Sequence, residues 1–234
     1  MLFDEFKLKQ FSVQVNYPDA YSIWDAAGAV ATRLSKIWPK VELENATAGE
    51  VALKNDTCKV LFGIRMSYVH VTSPKSVEEH AKSIGETFEV LANKLLVTDF
   101  DRIGARAVFV KEYKSAALGI AALRAMRLAR RPSKNVFNID IESESNIETV
   151  SYKFENESMG TTVNIAFQSL KLELKTGGEF PDADASKDLH RIVIDVDRFT
   201  KKPTSTKQFS AVEWLKGYNH LIRRDLPTII DLPK

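Results

Sequence analysis

Asp195 and Asp197 stand two residues apart near the end of the chain. On a strand this spacing points both side chains from one face. Paired carboxylates can hold a divalent metal or do acid–base work, so a metal-assisted enzyme using Asp195 and Asp197 is one expectation. The other reading is the wet face of a half-buried strand. A second group is basic: Arg124, Arg127, Arg130 and Arg131, with Lys134, crowd one predicted helix end, and Lys201, Lys202 and Lys207 follow on a later loop. Cations favour a helix C-terminus, but four arginines exceed that need. They read as a patch for an anion or an acidic partner.

Other chemistry is sparse. The histidines are His70, His80, His190 and His220, and none pairs with another ligand type at the spacing a zinc site uses. His70 continues the apolar parity of its strand and reads as the end of a core face. Asp182, Asp184, Ser186 and Asp188 begin like a calcium loop, but Lys187 takes the position of the required Gly and Val193 that of the bidentate Glu. No phosphate-binding glycine pattern occurs. The sequence points to no cofactor.

Composition narrows the classes. The 234 residues are 44% hydrophobic and 27% charged, enough for one large domain or two small ones sharing a core. No apolar run reaches the roughly 18 residues of a membrane span, and Met1 to Lys7 lacks the basic-then-apolar plan of a signal peptide. The single Cys58 permits no internal disulfide. A cytoplasmic location with no membrane partner is expected. A net charge of +2 gives no global pull toward nucleic acid. Locally, residues 101–135 carry nine Lys or Arg and two acids, net +7, while residues 136–190 carry four Lys and eleven acids, net −7. Such a dipolar layout can seat a partner or a second copy of the chain.

The elements that must position these groups follow from periodicity. Phe11, Val13, Val15 and Tyr17 alternate with polar residues as a half-buried strand. Asp19 is the expected cap of a helix burying Ile23, Trp24, Ala27, Val30, Ala31, Leu34 and Trp38, stopped by Pro39. Residues 41–72 are strand-like, with Cys58, Val60, Phe62, Ile64, Met66 and Tyr68 on one face. Ser76 and Glu79 form a capping box for a helix burying Val77, Ala81, Ile84, Phe88, Leu91 and Leu95. Residues 104–113 read as a strand, and Ser115 caps a helix to about Arg131. Phe137, Ile139 and Ile141 alternate as a strand, followed by Val150, Tyr152 and Phe154. Val163, Ile165 and Phe167 change parity to Leu170, Leu172 and Leu174, which predicts a bulge near Gln168–Ser169. A polar loop is expected over 179–189, then a strand with Ile192, Ile194 and Val196. Ser210 and Glu213 form a second capping box before a helix carrying Trp214, Leu215, Tyr218, Leu221 and Ile222.

The order strand, helix, strands, helix thus occurs twice, with capping boxes 210 − 76 = 134 residues apart. The expected class is α+β: two duplicated half-domains, 1–98 and 99–234, sharing a curved antiparallel sheet with helices packed on one side. The second half matches the plan of one half of a TATA-binding-protein-like fold. Asp101-Arg102-Ile103-Gly104-Ala105-Arg106, together with Ile192 to Phe199 and the closing Trp214 to Leu226 helix, resembles a sporadically distributed, uncharacterised prokaryotic family. That family is marked by an Arg-Ile/Leu-Gly-x-Arg-Tyr strand and a late Asp-x-Asp strand; Ala107 stands here in place of the aromatic. The resemblance implies a bacterial or archaeal source and two related half-domains, and implies no activity.

The leading functional expectation is a non-enzymatic binding or regulatory module acting through protein–protein contacts, as an accessory subunit or homo-oligomer. Nucleic-acid binding by the Arg124–Lys134 patch or the sheet face is the second, and the Asp195–Asp197 enzyme the third.

Overall fold

The alternation from Phe11 to Val15 makes β1 (Lys7–Asn16), whose Phe11, Val13 and Val15 are buried while Ser12, Gln14 and Asn16 face the other way. This strand is the centre of the molecule. In the computed structural model, which describes residues 2–128, 149–174 and 185–230, β1 pairs antiparallel with β5 (Met66–Thr72) on one side and β7 (Arg102–Tyr113) on the other. The sheet continues outward from β5 through β4 (Cys58–Gly63), β3 (Glu50–Lys54) and β2 (Glu42–Ala46). From β7 it continues through β10 (Ala185–Thr200), β9 (Met159–Leu174) and β8 (Thr149–Glu155). All nine strands are antiparallel to their neighbours. A small two-stranded ladder joins β6 (Asp99–Phe100) to β11 (Thr204–Ser205).

The helices α1 (Ile23–Ile37), α2 (Ala81–Lys94), α3 (Ala116–Ala125) and α4 (Ala211–Ile230) bury their apolar stripes against the same sheet face. Val30 and Leu34 of α1, Phe88 and Leu91 of α2, and Leu215, Tyr218 and Ile222 of α4 join Val13, Val60, Val69, Ile103 and Ile194 in one core. The protein is α+β with a large antiparallel sheet. Among the described residues no helix is long and apolar enough to cross a membrane.

Several local expectations are overturned. Asp19 does not cap α1: the helix starts at Ile23 after Ser22, and the Asp19 carboxylate is held by Arg65. Trp24 lies outside the stripe, 62% exposed, with its indole N–H donating to the Ala48 carbonyl at 2.7 Å. The face running from Cys58 to Tyr68 is broken by a hairpin at Ile64–Arg65. The turn reverses parity, so Ser67, Val69 and Val71 point into the core, while Met66, Tyr68 and His70 point away. Tyr17 fastens this turn, its hydroxyl donating to the Gly63 carbonyl at 2.8 Å and lying 2.6 Å from Ser67 Oγ.

Ser76 does not cap α2 either. A turn over 77–80 intervenes, and Glu79 instead accepts from the Lys75 backbone N–H at 2.6 Å. Ser210 and Ser115 do cap, accepting from the N–H groups of Glu213 and Leu118 at 3.3 and 3.4 Å. α3 stops at Ala125, six residues short of the expected Arg131. Arg127 takes a left-handed φ of 51°, which turns the chain so that Met126 buries and the Leu128 carbonyl accepts from Tyr152 at 2.7 Å. The β9–β10 register runs unbroken from Met159↔Thr200 to Leu174↔Ala185, so there is no bulge at Gln168–Ser169, and 185–189 are strand rather than loop. β10 outruns β7, whose last partner is His190↔Tyr113. The changed parity therefore belongs to a two-stranded ribbon that leaves the core behind, where Leu170 is exposed. The predicted strand at Phe137, Ile139 and Ile141 lies outside the described residues.

Candidate functional site

Residues that alternate with the core on each strand must emerge on the opposite face, which none of the described helices covers. The registers set them in rows. One row runs Lys59 (β4), His70 (β5), Ser12 (β1), Arg106 (β7), Asp197 (β10), Thr162 (β9). The neighbouring row runs Leu61, Tyr68, Gln14, Gly104, Phe199, Gly160 on the same strands. The two motif segments noted in the sequence, around Arg102–Arg106 and Asp195–Phe199, are thereby brought side by side.

Asp195 and Asp197 do share this face, and each has an arginine. Arg106 grips Asp195 with two parallel bonds, Nε to Oδ1 at 2.8 Å and Nη2 to Oδ2 at 2.7 Å. Arg102 Nη2 lies 3.6 Å from Asp197 Oδ2, and its guanidinium carbon sits 4.5 Å above the Phe199 ring centroid. One glycine makes room for this stack: a Cβ on Gly160 would stand 2.5 Å from the Phe199 ring, whereas one on Gly104 would meet Arg102 only at an ordinary contact distance of 3.5 Å. Burial pushes the Asp197 carboxyl above the usual carboxylate range, Arg102 pulls it down, and Asp195 pushes it up again.

His70 is half-buried on this face rather than at the end of a core face. Desolvation lowers its pKa, and the charges of Arg106 and Lys59 lower it further. Lys59 is bonded to Glu44 at 2.6 Å, and Lys54 lies 3.4 Å from the same carboxylate. The open face therefore carries many charges whose signs are matched locally.

As a metal site the aspartate pair is already occupied by guanidinium groups, and among the described residues no three His, Cys, Asp or Glu side chains converge on one point. Cys58 is buried and its thiol is pushed up to about 12, far from a reactive thiolate. Ser169 Oγ lies 2.9 Å from His190 Nδ1 across the β9–β10 ribbon, a pair the sequence did not single out. Of the basic patch, Arg124 and Arg127 are exposed at the end of α3, on the helix layer and so across the sheet from Arg102 and Arg106. Arg130, Arg131 and Lys134 lie outside the described residues. Arg127, off the helix, does not share a helical face with Arg124.

Arg102 and Arg106 are the residues sequence reasoning missed. Their spacing of four on one strand put them on a common face, a signal complementary to that of Asp195 and Asp197. The pairing itself needed β7 and β10 to be neighbours. No protein-family model matches the chain, and no curated protein matches it.

Proposed function

We propose that the chain is a non-enzymatic recognition module that works through protein–protein contacts, with the open sheet face around Arg102, Arg106, Asp195, Asp197 and Phe199 as its contact surface. The observation that carries this reading is the sheet face that none of the described helices covers: two arginines paired with Asp195 and Asp197, and a flat aromatic seated over Gly160. Arginine and aromatic groups held in place dominate protein interfaces, because little side-chain freedom remains to be lost on binding. Matched charges suit a partner surface of mixed sign. The architecture is read in the same way, as two duplicated halves, 1–98 and 99–234, joined at β1–β7. In support, β1 then α1 open the first half and β7 then α3 the second, and β5 beside β1 then α2, and β10 beside β7 then α4, close them, the two-residue strands β6 and β11 aside.

The test is sedimentation velocity and partner capture with wild type and with Arg102→Glu/Phe199→Ala at 50 mM salt. Association present in the wild type and lost in the variant is expected. A wild type that stays a monodisperse monomer and retains no protein partner removes the reading. One observation favours a second reading, nucleic-acid binding by the same face: Phe199 under Arg102, with Tyr68 in the same row, offers planar groups on which bases could stack. A salt-dependent shift of a labelled single strand, absent in Phe199→Ala, would select it.

A further inference from the structure

On the helix-covered side, α4 and strands β8 to β10 enclose a cavity of about 410 Å³. Its wall is apolar: Val163, Val196, Leu221, Ile222, Leu226 and Ile229. Phe154, half-exposed, stands at its mouth. Of its two arginines, Arg224 and Arg198, the second is set among these apolar groups. Arg198 follows Val196 on the core-facing side of β10, where the alternation calls for an apolar residue. Its Nη1 donates to Thr161 Oγ1, its cross-strand partner, at 2.9 Å.

Arg198 differs from the arginines of the open face. Among the described residues no carboxylate lies within 4 Å of its guanidinium, whereas Arg102 and Arg106 each have one. The nearest acid on the cavity wall, Asp225, is taken by Arg224 through two bonds of 2.6 and 3.0 Å. Desolvation makes the Arg198 charge costly to hold, and the Asp225 charge offsets only part of that cost. A half-buried guanidinium beside an apolar cavity lacks one thing, a carboxylate whose remaining body is apolar.

We propose that this cavity binds a small amphipathic carboxylic acid, its carboxylate on Arg198 and its hydrocarbon body against α4 and β9. The volume lies at the small end of the range for ligand sites, which suits a medium-length acyl chain or a single ring rather than a long lipid. A phosphate monoester is a poorer match, since among the described lining residues Arg198 is the one cation not paired with a carboxylate, Arg224 being taken by Asp225. The site lies on the face opposite Arg102 and Arg106, so it stands or falls independently of the protein-recognition surface.

The test is calorimetric titration of the full chain with octanoate, and with 1-octanol as the uncharged control. Octanoate is expected to bind saturably at one site, and octanol at least about tenfold more weakly. Arg198→Met should weaken octanoate at least about tenfold and leave octanol unchanged, while Arg198→Lys retains part of the affinity. Leu221→Trp, which fills the cavity without touching Arg198, should abolish both, with circular dichroism confirming the fold. Failure of octanoate to saturate below about 5 mM, equal affinity for octanol, or octanoate binding that survives Arg198→Met or Leu221→Trp overturns the proposal.

Discussion

Substituting Ala for Gly160 tests the stack on the open face. A Cβ at 160 would stand 2.5, 2.7 and 3.0 Å from three atoms of the Phe199 ring. The strand cannot retreat, because Gly160 is paired with Phe199 on β10 and with Glu155 on β8. The ring must therefore swing outward. It then gives up the Arg102 contact, about 0.5–1 kcal/mol at an exposed site. It also re-exposes about half of a phenylalanine's burial, on the order of 1–1.5 kcal/mol. Gly160 is not in the left-handed region, so the substitution itself brings back about 0.4–1 kcal/mol through the unfolded chain. The expected net loss is about 1 kcal/mol, read as a lower urea midpoint with an unchanged slope. In a Phe199→Ala background the same substitution should be neutral or mildly stabilising, a coupling of about 1–2 kcal/mol. A Gly160→Ala protein as stable as wild type, or one equally destabilised in both backgrounds, would refute the reasoning.

Gly119→Ala should cost about 1–3 kcal/mol despite better helix propensity, since its Cβ would run into the Phe167 ring and lift α3 off the sheet; thermal melts check this. A double-mutant cycle of Arg106→Ala and Asp195→Ala should return a coupling of about 1 kcal/mol, held down by Arg106 being 59% exposed and held up by the bidentate geometry. His70 has a folded pKa below its ordinary 6.5. The unfolded chain therefore binds the proton more readily, and stability falls as pH drops from about 6.5 through the folded value. His70→Gln should flatten that part of the profile while leaving it unchanged above pH 7, as followed by urea midpoints from pH 4.5 to 7.5.

The sequence revealed what local pattern controls. β1 was legible because Phe11, Val13 and Val15 face a core while Ser12 and Gln14 do not. The stripe of α4 was legible for the same reason at helical spacing. The hairpin at Ile64–Arg65 was not, because Met66 and Tyr68 continue the apolar alternation of Cys58 to Phe62 across the turn. The pattern is the same whether the chain runs on or folds back. The caps misread at Asp19 and Ser76 are polar groups claimed by Arg65 and by a turn instead, and no local rule ranks those competitors. For the site, the shared face of Asp195 and Asp197 followed from a period of two. Their arginines lie 89 residues or more away in the chain, and only the β7–β10 pairing joins them.

The seam between β1 and β7 has a consequence for synthesis. β1 leaves the ribosome well before β7, so one of its two edges stays unpaired until residues 102–113 have followed. During that interval the nascent chain presents a ten-residue strand with Phe11, Val13 and Val15 on one side and a full row of open N–H and C=O groups. A second nascent chain on the same message would carry the identical edge, in reach and antiparallel-competent. Slow translation just ahead of residue 102 would lengthen this exposure and favour swapped or aggregated products. Rapid passage through β7 would close the edge from within the same chain.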